Sequence, residues 1–274
     1  MAAQPLRGHM NADLQRAVQW YPGHMVRAMR RIGEYLKMID VVIEVVDARV
    51  PASGRNPLLD TLIGSRKRLI VLNREDLADA AATKVWIQHY ADHDLQAIAV
   101  NGREQPSVRR AGMTIAKLAQ GGRAMSRAIV LGLPNSGKSS IINGLLRRAA
   151  ARTEDRAGVT RQLQWFRMAG NVELMDTPGI LVPKIATPDA QWKLAMAGAV
   201  PRERYDPQEI VGHFHRWLID HRAGRTRVPD LQSFASARGF ARRGGELDLH
   251  NAAQSYVAAF NDGVFGRITL EEPT

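Results

Sequence analysis

No cysteine occurs among the 274 residues, which excludes disulfides, thiolate metal sites and a catalytic thiol. No apolar run approaches the ~20 residues needed to cross a bilayer, so no membrane partner is expected. The first residues carry Arg7, Asp13 and Arg16 without an apolar segment between them, and they do not read as a secretory signal. Internal repeats and low-complexity tracts are not evident. Negative charge is scarce as well: 27 acidic residues against 38 basic ones leave a net charge of +11 and a pI near 10.5. A chain of this length can bury a real core, and one domain plus a smaller one is the natural division.

The basic excess is clustered. Arg103, Arg109, Arg110, Lys117, Arg123 and Arg127 share their stretch with only Glu104, and Arg222, Arg225, Arg227, Arg238, Arg242 and Arg243 share theirs with only Asp230. A solvated basic surface is the plain reading of such runs. Their concentration points instead to a polyanionic partner, and RNA is expected, with the second cluster as its contact surface.

Residues 1–18 read as a mobile leader. An aromatic turn, Gln19-Trp20-Tyr21-Pro22-Gly23-His24-Met25, precedes a helix with Met25, Met29, Ile32, Leu36 and Ile39 at helical spacing. Val41 to Asp47 is a nearly continuous apolar run, as in a strand buried on both faces. The loop after it, Asp47-Ala48-Arg49-Val50-Pro51, lies at a strand's C-terminal end, where open α/β sheets place their ligands. A strand over 68–73, a helix near 80–92, a strand near 95–100 and a helix near 106–119 follow. Residues 162–168 and 172–175 read as a hairpin. Strands alternating with helices predict a doubly wound, mostly parallel α/β sheet over 19–198. Beyond about residue 200 only helical patterns remain, in Ile210-Val211-Phe214-Trp217-Leu218 and in Leu249 to Phe260. A small all-helical domain over 199–274 is expected.

The richest stretch is Gly132-Leu133-Pro134-Asn135-Ser136-Gly137-Lys138-Ser139-Ser140. It follows the apolar run 128–131 and precedes Ile141-Ile142-Asn143-Gly144-Leu145-Leu146, which is the strand–loop–helix context of a phosphate-binding loop. Its glycines let backbone N–H groups turn inward onto an anion, and the helix N-terminus adds partial positive charge. Lys138 is placed to reach the β- and γ-phosphates, and the Ser139 hydroxyl to hold Mg²⁺. Asn135, Ser136, Gly137 and Ser140 complete the expected phosphate contacts.

Two further tetrapeptides gain meaning from this loop. Asp176-Thr177-Pro178-Gly179 ends the hairpin; its carboxylate suits Mg²⁺ and the Gly179 N–H suits the γ-phosphate. Asn73-Arg74-Glu75-Asp76 closes a strand, and a carboxylate there can accept from both N1–H and the 2-amino group of guanine, donors that adenine lacks. Either tetrapeptide alone is an ordinary turn. Beside a phosphate loop they indicate a guanine-nucleotide site, which argues against an ATPase or a P-loop phosphotransferase.

The order is unusual, because N-x-x-D precedes the phosphate loop. The chain resembles a circularly permuted GTPase. Gln19 to Met25, Asp47-Ala48-Arg49-x-Pro51, Leu72-Asn73-x-x-Asp76, Pro134-Asn135-x-Gly137-Lys138-Ser139, Asp176 to Leu181 and Gly263-x-x-Gly266 together resemble the ribosome biogenesis GTPase A (YlqF) family over about 19–272.

That resemblance implies a GTP-hydrolysing factor of late large-subunit assembly, slow alone and stimulated by the large ribosomal subunit. Its helical domain would dock on ribosomal RNA. Thr160 is the implied switch threonine for Mg²⁺ and the γ-phosphate, although Thr153 also offers a hydroxyl. Asn101 and Gly102 join the guanine site, chiefly through a backbone N–H to O6. Arg74 stands where the family usually has lysine, and Gly102 where a small serine or alanine usually stands. Ile180 occupies the place of the water-orienting glutamine and cannot position water, so His24 is the candidate for that role beside Lys138 and Gly179. Asn135 resembles the potassium-ligating asparagine of cation-activated GTPases, making K⁺ a candidate cofactor beside Mg²⁺. A monomer in the bacterial cytoplasm is expected, with a mitochondrial matrix protein as the alternative. The competing function is a nucleotide-gated RNA-binding module whose hydrolysis is incidental.

Overall fold

The computed structural model describes residues 33–120, 125–146, 164–168, 170–176, 187–222, 228–242 and 244–273. The expected leader, the aromatic turn with His24, and most of the helix after it lie outside these residues.

The central strand is β1 (Val41–Asp47), in which every residue is buried. Its β-branched side chains suit a pleat covered on both faces. Alternation divides them cleanly: Val41, Ile43 and Val45 enter one apolar cluster, whereas Val42 and Val46 face the other side. β2 (Lys67–Asn73), β3 (Gln96–Val100), β4 (Ser126–Leu131), β5 (Gln164–Met168) and β6 (Val172–Asp176) complete a six-stranded sheet of order β3-β2-β1-β4-β6-β5. Neighbours pair in parallel except the β5–β6 hairpin, which is antiparallel.

Helices cover both faces, as a parallel sheet requires. α3 (Gln105–Ala119) and α4 (Lys138–Leu146) pack on the Val41/Ile43/Val45 face through Val108, Ile115, Ile141 and Ile142. α1 (Pro57–Ile63) and α2 (Ala80–Asp92) cover the opposite face. The start of α2 is set by Asp79, whose carboxylate accepts from the Ala81 and Ala82 amides at 2.9 and 3.0 Å. β1 carries two buried carboxylates: Asp47 at its end, and Glu44 mid-strand, which is matched by the guanidinium groups of Arg55 and Arg68.

The helical region comprises α5 (Pro188–Met196), α6 (Pro207–Arg222), α7 (Leu231–Ala237) and α8 (Leu249–Asn261). The short helices α1, α5 and α7 are not marked by the apolar spacing, since each spans only two turns or so. Aromatic side chains tie α6, α7 and α8 together. The Phe214 ring meets Phe260 edge-on at 5.3 Å, and Phe234 meets Tyr256 at 4.9 Å. The Tyr256 hydroxyl donates to the Pro229 carbonyl at 2.8 Å.

This region shares a core with one face of the sheet. One apolar cluster runs from Val42, Ile129 and Met175 on the sheet through Leu194 and Met196 to Phe214 and Phe260. The end of the chain then returns to the sheet domain. Ile268 and Leu270 donate their amides to the carbonyls of Leu77 and Arg49 at 3.0 and 2.8 Å. The Glu271 carboxylate accepts from the Ala52 amide at 2.7 Å, and its carbonyl from Trp86 Nε1 at 3.1 Å.

Candidate functional site

Strand order reverses between β1 and β4: the chain runs from β1 outward through β2 to β3, then crosses back to β4 on the other side of β1. The crevice beyond the carboxyl ends at such a reversal is where open α/β sheets bind ligands. Register delivers the expected residues to it, because Asp47 pairs with Asn73 across β1–β2 and Asn73 with Val100 across β2–β3. Asp47, Asn73 and the Asn101-Gly102 turn therefore emerge side by side, next to the loop that leaves β4.

That loop has the backbone its sequence demands. Gly132 and Gly137 adopt φ of +149° and +90°, and Asn135 adopts +58°. Asparagine is among the few non-glycine residues that tolerate this region. A Cβ on Gly132 would lie 2.3 Å from the Val45 carbonyl, and one on Gly137 only 2.0 Å from Asn73 Nδ2. Both glycines are required by close approach as well as by φ. Lys138 is buried, and its ammonium donates to the Leu133 carbonyl at 2.8 Å, inside the loop it follows.

Asn73 joins the loops. Its Nδ2 donates to the Ser136 carbonyl at 2.9 Å, and its Oδ1 accepts from the Gly102 amide at 2.9 Å. Because Oδ1 lies only 2.8 Å from where a Cβ on Gly102 would stand, the bare glycine permits this approach. Arg74, at φ +63°, donates Nη2 to the Asn135 carbonyl at 2.9 Å and places Nη1 3.3 Å from Asp47. Asn101 caps its own turn, accepting from the Arg103 amide at 3.0 Å. Glu75 stands apart from the others. Its carboxylate accepts from Ser107 Oγ at 3.0 Å and faces Arg110, at the start of α3.

These loops open onto a cavity of about 460 Å³ lined by Asn73, Arg74, Asp76, Gly102, Asn135 and Ser140. Its size suits a small-molecule ligand. On the opposite side it is walled by the helical region, a contribution the sequence did not reveal. Three hydrogen bonds hold that wall in place: Asn135 Nδ2 donates to the Gly198 carbonyl at 2.9 Å, and Arg49 Nη2 donates to the Ala197 carbonyl and to Asn261 Oδ1, both at 3.0 Å. Arg49 is also paired with Asp47 at 2.7 Å and lies over the Phe260 ring at 5.0 Å. Burial pushes the Asp47 carboxyl up. The Arg49 guanidinium and its hydrogen bonds, helped by Arg74, outweigh that and hold it below the usual carboxylate range.

The oxygens present suit Mg²⁺. Ser139 and Ser140 are exposed on the first turn of α4, and the Ser136 hydroxyl is buried with no hydrogen-bond partner among the described residues. Hard oxygen donors beside an anion cradle are what Mg²⁺ with phosphate requires. Asp176 is the last residue of β6, the strand beside β4. Thr160 and Gly179 lie outside the described residues, as does His24. Of the expected RNA-contact residues, Arg225, Arg227 and Arg243 also lie outside. Arg222 ends α6, Arg238 stacks on Phe234 at 4.6 Å, and Arg242 pairs with Asp248 at 3.1 Å.

A phosphate loop after β4, an N-x-x-D loop after the earlier β2, and a mostly parallel sheet holding them together define a circularly permuted P-loop GTPase. The 50S ribosome-binding GTPase family matches residues 127–205. Ribosome biogenesis GTPase A of Bacillus cereus is 35% identical over 93% of this chain and 94% of its own, and that of Thermotoga maritima is 30% identical over 93% and 95%. The chain belongs to the ribosome biogenesis GTPase A family. The mouse mitochondrial ribosome-associated GTPase 1 is 36% identical over 72% of this chain and 63% of its own. Among solved structures, GDP-bound TM YlqF superimposes with a TM-score of 0.71 at 29% identity, covering 89% of this chain and 99% of that one. GNP-bound YlqF from T. maritima gives 0.70 at 28%, covering 90% and 98%.

Proposed function

We propose that this GTPase is an assembly factor that binds ribosomal RNA on the maturing large ribosomal subunit and promotes a late step, with GTP governing its association. The observation that carries the reading is the direct attachment of the helical region to the phosphate loop through Asn135 and Gly198. A change in that loop on loss of the γ-phosphate would be felt by the helices, a two-state element biased by nucleotide. The basic character of 222–243 suits RNA phosphate, and Arg238, over the Phe234 ring, and Arg242, paired with Asp248, are both exposed there.

In this reading the guanine base lies against Asp76, with Asn73 and Gly102 shaping its pocket and Asn101 holding the turn. Glu75 supports that pocket from behind, through Ser107. The phosphates lie over 135–140. Ser139, Thr160 and Asp176 hold Mg²⁺, which neutralises charge on the β- and γ-phosphates when bound. Lys138 swings from the Leu133 carbonyl to the phosphates, and Gly179 meets the γ-phosphate. Ile180 has no group that can orient water, so His24 takes that role, and Asn135 Oδ1 is the candidate ligand for K⁺. The working form is a monomer of the bacterial cytoplasm, in keeping with the bacterial relatives that match over most of its length.

The test is GTP hydrolysis in potassium buffer, with and without purified large ribosomal subunits. Stimulation by the subunit, and a lower rate in sodium, are the expected results. GTP binding without stimulation would overturn the assembly-factor reading, and equal rates in the two cations would remove K⁺.

A further inference from the structure

We infer that the helical region is part of the guanine-nucleotide site: Arg202 and Tyr205 contact the sugar-phosphate side of the bound nucleotide, opposite the N-x-x-D and phosphate loops. The inference rests on the proposed nucleotide reading of the cavity and adds a second wall to it.

The first observation is geometric. The cavity that holds Asn73, Asp76 and Asn135 is closed on its far side by Gly198, Arg202, Tyr205 and Asn261. A nucleotide reaching from Asp76 to the phosphate loop would cross between these walls. The second concerns how the far wall is built. Three consecutive carbonyls are fastened: Met196 by Asn261 Nδ2 at 2.9 Å, Ala197 by Arg49 Nη2 at 3.0 Å, and Gly198 by Asn135 Nδ2 at 2.9 Å. Gly198 takes φ of +78°, and a Cβ there would press on Asn261 Oδ1 at 3.2 Å. The chain then passes Pro201 into a single 3₁₀ turn, Arg202–Arg204, that presents Arg202 and Tyr205 to the cavity. Two of these three fastenings, from Arg49 and Asn135, come from the loops of the sheet side and the third from within the wall, and a preformed wall adds affinity at little ordering cost.

The third observation is chemical. Arg202 is exposed and makes no ion pair among the described residues, and the Tyr205 hydroxyl has no hydrogen-bond partner among them. Burial raises the Tyr205 phenol above its ordinary pKa, with Arg202 opposing, so the hydroxyl remains a neutral donor at physiological pH. Arg202 and Tyr205 line the cavity across from the phosphate loop and also border a second cavity beside His250 and Gln254, and a guanidinium and a phenolic O–H within reach of an anion cradle match a phosphate oxygen and a ribose hydroxyl. Neither group reads the base edge, so neither affects the choice between guanine and adenine. Contact from this wall would also give the helices a direct report of occupancy.

The experiment uses the full chain. Amide hydrogen exchange is compared without nucleotide, with GDP and with ADP, and GDP affinity is measured for Arg202→Ala, Tyr205→Phe and Asp76→Asn. Expected are protection of 198–205 by GDP but not ADP, and a roughly five- to tenfold weaker affinity for Arg202→Ala, the loss of one charge-assisted hydrogen bond. Tyr205→Phe should lose a few-fold, and both variants should still prefer GDP to ADP. GDP binding that protects only the N-x-x-D and phosphate loops, with the two variants within twofold of the parent, would overturn the second wall while leaving the nucleotide site intact. No GDP binding by the parent, or an unchanged preference in Asp76→Asn, would instead overturn the site reading itself.

Discussion

Arg49 Nη2 lies 3.0 Å from Asn261 Oδ1, joining the loop after the first strand to the last residue of the last helix. The same nitrogen serves Asp47 and the Ala197 carbonyl, so one buried guanidinium holds the loop end of the sheet against the helical region. Arg49 is 1% exposed, and its Nη1 has no hydrogen-bond partner among the described residues. Truncation to alanine leaves the Asp47 carboxylate buried with only Arg74 near it. Loss of about 3–5 kcal/mol is expected, as for other buried pairs broken on one side. Urea denaturation measures it, and a loss below about 1 kcal/mol would show the pair to be incidental.

Asp47 also sets a pH dependence. Its folded carboxyl titrates below the unfolded one, so the unfolded chain binds more protons as the medium is acidified. Its contribution is complete above the ordinary carboxylate range and is lost as pH falls through that range and below it. Thermal melts from pH 7 downward should show the decline, and Asp47→Asn should flatten this part of the profile at the expense of stability at pH 7. A variant curve parallel to the parent's throughout would refute the assignment.

Asn73→Ala removes both hydrogen bonds that tie the phosphate loop to the Gly102 turn. The Ser136 carbonyl is left without its side-chain donor, a loss of about 1–3 kcal/mol in stability. GTP affinity should fall by roughly tenfold or more, since the two loops would no longer share one anchor. Titration with a fluorescent GTP analogue, paired with denaturation, separates the two effects; intact affinity is the adverse result.

Two glycines make a matched comparison. Gly137→Ala places a Cβ 2.0 Å from Asn73 Nδ2 at φ +90° and should abolish nucleotide binding while costing stability. Gly212, within α6, has nothing within 4 Å of its Cβ position, so Gly212→Ala should stabilise by roughly 0.5–1 kcal/mol through helix propensity. Melting curves of the two variants should move in opposite directions. Movement in the same direction would discredit the steric account.

His24→Ala should lower single-turnover GTP hydrolysis on the order of a hundredfold if the imidazole orients water, with GTP affinity nearly unchanged. Equal turnover in the variant removes His24 from the mechanism.

The doubly wound fold was legible in the sequence because local signals carry it. Val41 to Asp47 is apolar on both faces of a strand, and Gly132, Gly137 and Asn135 occupy positions whose φ values only a few residue types accept. The motif order N-x-x-D before the phosphate loop likewise needs no structure to be read. What tertiary structure alone decided are contacts between residues far apart in the chain: Asn73 with Ser136, Arg49 with Asn261, and Asn135 with Gly198. Hydrogen bonds of this kind leave no periodicity, because each depends on where two loops end after the sheet has set its register. The single residues involved look like ordinary turn or helix-end residues in sequence. Local propensity therefore determined the elements and the loop chemistry. Packing of the helices onto one face of the sheet determined that the candidate nucleotide cavity has two walls.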